Sequence, residues 1–193
     1  MSASEEKALW IDWKKRAEID YIPLFISLWL SLNAWMRDSY QNGFEDRKRL
    51  NLLKRGENPF SDRFAELIYA KDPNGSTFRG SFGELQRALL NANIPYENRW
   101  PGEIISFASC PISWNNGSPN LESVLKTKNQ QAKIQIDADL WVENDTGRLF
   151  AAYIEIVYQI RCALFHGQLA PQSDNERVIR HIYITLSMIM EHV

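Results

Sequence analysis

Apolar residues recur at every third or fourth position near both ends of the chain and lose that rhythm in the middle. Leu9, Trp10, Trp13 and Ala17 form one stripe between Ser4 and Asp20, with Lys14, Lys15, Arg16 and Glu18 mostly elsewhere, which predicts a first helix. A second helix is predicted from Pro23, whose missing N–H suits a first turn, to about Gln41, with Asn42-Gly43 ending it. Its apolar residues (Leu24, Phe25, Ile26, Leu28, Trp29, Leu30, Leu32, Trp35, Met36) wrap nearly all round, the mark of a helix buried centrally or at an interface. Short helices are expected at Arg47 to Lys54 and at Asp62 to Ala70, the latter with Ser61 as N-cap, and another at Ser81 to Ala92.

Residues 93–145 change character. Pro95, Pro101, Gly102, Pro111, Gly117 and Pro119 punctuate them, and Ile134, Ile136 and Leu140 alternate with polar residues as in a short strand. Trp100, Trp114 and Trp141 imply that the excursion packs down. The clearest helix follows, capped by Asp145 or Thr146 and running to about His166, roughly 30 Å long. Phe150, Tyr153, Ile154, Val157, Ile160, Arg161 and Leu164 share one broad face. Gly167 is its expected C′ residue, with Pro171 beyond. Ser173-Asp-Asn-Glu176 reads as a capping box for a last helix with Val178, Ile179, Ile182, Tyr183, Leu186, Ile189 and Met190 inward. The short link predicts an antiparallel hairpin. The fold class is mainly α: an up-and-down helical bundle forming a single domain over 1–193, with 93–145 as an irregular, partly β insertion.

Composition narrows the function. The 193 residues carry 45% hydrophobic and 24% charged positions, enough for a core. A net charge of −2 does not suit a protein that coats nucleic acid non-specifically, so any RNA contact is local. Cys110 and Cys162 form no disulfide framework, and His181 and His192 lack partners at metal-ligand spacing, so no metal or other cofactor is called for. MSASEEKALW lacks a signal-peptide pattern, and the apolar run from Ile22 to Met36 is too short to span a bilayer, so the expectation is a cytoplasmic protein with no membrane partner.

Candidate chemistry sits in IRCALFHGQ, residues 160–168. Arg161 lies among Ile160, Ala163, Leu164 and Phe165, where a charge is costly unless paired, so either it reaches solvent or something buried accepts its hydrogen bonds. His166 is about 140° further round an ideal helix, but it is the last residue before a helix-ending glycine, where its ring can swing back.

An arginine, four intervening residues and a histidine at the end of a penultimate bundle helix, followed by Gly167-Gln168, resembles the signature of the HEPN superfamily. The apolar early helix FISLWLSLNAW is similar to that family too, and the resemblance covers about 1–92 and 145–193. It implies a HEPN-type bundle that dimerises so that two motifs face each other. Many members are metal-independent endoribonucleases, often toxins or antiviral effectors. Others bind nucleotides or partner proteins without catalysis. On this resemblance His166 is the general acid/base and Arg161 holds the phosphate, roles that suit an imidazole and a planar guanidinium. RNA is then the substrate, a second copy the partner, and an antitoxin or other protein a further partner. A catalytically inactive HEPN module and a plain structural dimer are the alternatives. One position departs from the pattern, since active members commonly carry a polar residue directly after the arginine, where this chain has Cys162.

Around the pair, Gln168, Arg177 and Arg180 are candidate substrate contacts, and Asn33 either bonds across the bundle or lines the site. The basic run Arg47, Lys48, Arg49, Lys54, Arg55 reads as a solvated helix face, and Tyr158, facing away from Arg161 by spacing, as an interface aromatic.

Overall fold

The Asp20 carboxylate accepts a hydrogen bond from the Ile22 backbone N–H at 3.0 Å and so starts helix α1, Tyr21–Ser39. The structure, a computed structural model, describes Ile11 and residues 19–40, 45–96, 102–115, 118–121, 123–126, 133–169 and 173–191, with only the backbone considered at 111–121. The expected first helix therefore falls almost entirely outside the described residues, as do Asn42, Gly43, Trp100, Pro171 and His192. Helix α1 is less enclosed than its composition suggests. Phe25, Trp29, Leu32 and Met36 are buried along one stripe, while Leu24 and Leu30 on the other side are exposed, Leu30 by 58%.

Three further helices follow: α2 at Asp46–Arg55, α3 at Pro59–Tyr69 and α4 at Pro73–Ala92. Asn58, not Ser61, is the N-cap of α3. Its side chain accepts from the Ser61 N–H while Ser61 Oγ takes the Asn58 N–H, with Pro59 at N1. Helix α4 begins eight residues earlier than expected, because Asp72 caps it through the Gly75 N–H and Pro73 occupies its first turn. Gly75 is required there by space: a Cβ would lie 2.3 Å from the Ala70 carbonyl oxygen. Tertiary packing outweighs the low helix propensity of Gly75, Gly80 and Gly83.

The excursion after α4 contains two small antiparallel sheets. Strand β1 (Pro111–Asn115) pairs with β2 (Ser118–Leu121); β5 (Trp141–Glu143) lies between β3 (Leu125–Lys126) and β4 (Lys133–Gln135). The expected strand at Ile134 is present and Ile136 is buried just beyond it, but Leu140 lies outside any strand. Trp141 is half-buried under the Lys133 ammonium, 5.0 Å from its ring centre.

Asp145 caps helix α5, Thr146–Phe165, and α6 spans Ser173–Met190. Ser173 is already inside α6, so the residue that launches this helix is not among those described. The last two helices do not form the closely packed hairpin expected from their short link. Helix α6 packs chiefly against α4 and α1, and it meets α5 where the Tyr153 hydroxyl bonds Thr185 Oγ1 at 2.9 Å. The core is aromatic at its centre, with Phe64 against Phe78, Phe82, Phe150 and Tyr153. The described chain is mainly helical and bundle-like with two small antiparallel sheets, and no described helix is long and apolar enough to cross a membrane.

Candidate active site

Helix α5 ends in a Schellman turn. Gln168 N–H donates to the Ala163 carbonyl at 2.9 Å, Gly167 N–H to Leu164 at 3.2 Å, and Gly167 has φ +69°. Glycine adopts that left-handed conformation without the Cβ penalty, so it stops the helix with His166 as C-cap, exposed at the end. Gln168 is exposed one residue beyond the glycine.

Arg161 lies five residues back and is half-buried. Its guanidinium carbon is 4.5 Å from the ring centre of Phe165 and 5.7 Å from that of Trp29 on α1. Its Nη1 is 4.0 Å from Cys162 Sγ. Stacking between two rings holds the charge without neutralising it. No acceptor for its buried Nε occurs among the described residues.

The same ladder continues to a second arginine. Trp29 stands 6.0 Å from Tyr158, and the Arg47 guanidinium carbon is 5.1 Å from the Tyr158 ring centre. Arg47, Tyr158, Trp29, Arg161 and Phe165 thus form one ladder of two cations and three aromatic rings across α2, α5 and α1. Tyr158 thus packs within the chain, between Arg47 and Trp29, on the same ladder as Arg161 rather than away from it. Its hydroxyl is pushed up from the ordinary phenol range, first by burial and then by Cys162, to which it is hydrogen-bonded.

Arg47 is aimed by a carboxylate that sequence reasoning passed over. Glu155 is wholly buried in α5 and receives Arg47 Nη1 at 2.8 Å, Lys54 Nζ at 2.7 Å and Gln159 Nε2 at 2.7 Å. Burial raises its pKa, but the charges of Lys54 and Arg47, with their hydrogen bonds, more than offset this and hold it below the usual carboxylate range. The basic run in α2 is consequently not a solvated face: Arg47 and Lys54 turn inward, and Arg49 is buried. A signal for this was present in the sequence. Glu155, Gln159, Cys162 and His166 are spaced i, i+4, i+7, i+11, a polar stripe along one side of an apolar helix.

The remaining expected site residues are spread out. Asn33 is on α1, one turn beyond Trp29, half-buried, and its Oδ1 has no donor among the described residues, so it is not the satisfied core amide that burial favours. Arg177 bonds Glu84 of α4 at 3.1 Å, and the Arg180 guanidinium lies 5.9 Å from the Tyr21 ring centre. These two arginines sit on the α6 surface facing α4 and the start of α1. His181 beside them is half-buried, and burial, then the charge of Arg180, lowers its imidazole pKa.

No family model, curated protein or solved structure matches this chain. The site is therefore read from its own geometry. Among the described residues no three of His, Cys, Asp or Glu gather closely enough to hold a metal ion. Cys110 and Cys162 are free thiols; the former is buried, donates to the Ala152 carbonyl at 3.3 Å, and is pushed well up by burial and then by Glu155. What the arrangement offers chemically is an exposed imidazole at a helix end, a guanidinium stacked one and a half turns back, and a second guanidinium oriented by a buried acid.

Proposed function

We propose that the chain is a metal-independent endoribonuclease of the HEPN type, cleaving RNA with Arg161 and His166 as a homodimer, in the cytoplasm and in a toxin–antitoxin or phage-defence setting. The observation that carries this reading is the end of α5, where a glycine-stopped helix presents an exposed His166 beyond a half-buried Arg161 with an unspent donor. Exposed Leu24, Leu30 and Phe165 are apolar surface available to a second copy.

In this reading the His166 imidazole of one copy takes the proton from a ribose 2′-hydroxyl, and the 2′ oxygen attacks the adjacent phosphorus. Charge builds on the phosphoryl oxygens, where the Arg161 guanidinium stabilises it. The His166 imidazolium of the other copy protonates the departing 5′ oxygen. The products are a 2′,3′-cyclic phosphate and a 5′-hydroxyl, and no oxidant, metal or cofactor enters the balance. In the same reading Gln168, one residue past the glycine, touches the substrate.

A second reading, a catalytically inactive HEPN module that binds a nucleotide or a partner protein, is favoured by one observation. Cys162 fills the position after Arg161, and its sulfur is engaged by Tyr158 and lies near Arg161 Nη1. Incubation of the protein with mixed RNA in EDTA separates the two. The nuclease reading expects cutting by the wild type and none by His166→Ala or Arg161→Ala, with cyclic phosphate ends. RNA left whole by the wild type at every protein concentration refutes it.

A further inference from the structure

Buried donors without acceptors are rare, because each leaves a desolvation cost of about 1–3 kcal/mol uncompensated. Here three occur on one ladder of touching side chains: Arg47 Nη2, Arg161 Nε and Trp29 Nε1 have no acceptor among the described residues. Trp29 is only 1% exposed, so its indole N–H cannot turn to bulk solvent. The three donor atoms are themselves buried, but the Arg47 side chain retains 17% exposure and Arg161 is half-buried, so both arginines border solvent. Phe165, 53% exposed and lying against Arg161, marks the side of entry. Both guanidiniums are also pre-aimed. Glu155 occupies Nη1 of Arg47 and leaves Nη2 over, while Trp29 and Phe165 stack on Arg161 and leave its nitrogens for hydrogen bonding.

The charges decide what fits. Arg47 and Lys54 share a single carboxylate, Glu155, and Arg161 has no carboxylate partner among the described residues, so the cluster keeps a positive excess beside the unspent donors. A neutral ligand leaves that excess uncompensated, whereas a phosphate group supplies both negative charge and several acceptor oxygens. We propose that Arg47 and Trp29 join Arg161 in a recess that binds the phosphate of a nucleotide ligand. Arg47 Nη2, Arg161 Nε and the Trp29 indole N–H are its donors, and Glu155 is the positioning residue that aims Arg47. The identity of the ligand as a nucleotide rests on the nuclease reading above; the anion site itself rests on the unspent donors.

The test uses the full chain carrying His166→Ala, which removes turnover. The Trp29 indole N–H signal, assigned by its loss in Trp29→Phe, is followed by proton–nitrogen NMR during titration with inorganic phosphate, adenosine 5′-monophosphate and a 2′-deoxy oligonucleotide. Calorimetry supplies the affinities. A shift of the Trp29 signal is expected, and Trp29→Phe, which keeps a stacking ring, weakens binding about tenfold. Arg47→Lys keeps the ion pair with Glu155 but loses the guanidinium fork, and it weakens binding to a similar extent with thermal melting preserved. A response to inorganic phosphate assigns the recess to the bare phosphoryl group; a response to the oligonucleotide alone assigns it to a strand phosphodiester, and either upholds the proposal. Wild-type affinity in both variants, or an unmoved Trp29 signal with all three ligands, overturns it. RNA cutting by the wild type together with an unmoved Trp29 signal sinks the recess and keeps the nuclease; variant-sensitive binding with no cutting by the wild type does the reverse.

Discussion

Replacing Glu155 by glutamine leaves the shape of helix α5 unchanged and removes one charge at a fully buried position. Arg47 and Lys54, whose side chains are 17% and 6% exposed, then face each other without a counter-ion. Breaking a buried pair on one side costs about 3–5 kcal/mol, because the partner's desolvation is no longer compensated. For a domain of this length that corresponds to a melting temperature lower by about 10 °C. The pH dependence separates this cause from a loss of packing. The folded-state pKa of Glu155 is depressed, so its stabilisation is complete above the ordinary carboxylate range and is lost as pH falls through the folded value. The gap between wild type and Glu155→Gln, measured by urea unfolding from neutral pH downward, should therefore be widest near pH 7. It should close in acid, where a protonated glutamate resembles glutamine. A gap below about 1 kcal/mol at neutral pH, or one that stays constant into acid, refutes the assignment of Glu155 as the charge that holds Arg47 and Lys54.

Two further substitutions test the turns that frame the site. Gly167→Ala places a Cβ on a residue at φ +69°, and should cost about 1 kcal/mol in urea unfolding while reducing RNA cutting through displacement of His166. Asn58→Ala removes the α3 cap together with side-chain bonds to the Leu53 and Gly56 carbonyls, and should cost about 1–2 kcal/mol, read by thermal or chemical unfolding with the site's ligand response unchanged.

Local structure was legible where one residue type suffices to set it. Asp145 capping α5, Gly167 ending it and the inward stripe of α6 all follow from short-range rules, and the structure agrees at each. The start of α4 was not legible, because its glycines argue against a helix until Gly75 is seen pressed against Ala70. Arg161 stood out as a charge among apolar neighbours, and Glu155 has the same signature in AAYIEIVYQI, yet only the arginine belonged to a familiar motif. The partners of both were hidden for a different reason. Arg47 and Lys54 lie 108 and 101 positions before Glu155, and Trp29 is on another helix, so no local spacing connects them. Chain proximity likewise pointed α6 toward α5, whereas packing sent it to α4 and α1.

That last pairing has a consequence for how the molecule is made. Helices α4 and α1 are synthesised well before Ser173–Met190, yet it is against them that α6 chiefly packs. On the ribosome, the faces of α4 and α1 that α6 covers thus stay open until Ser173–Met190 has been made, and closure there joins stretches far apart in the sequence.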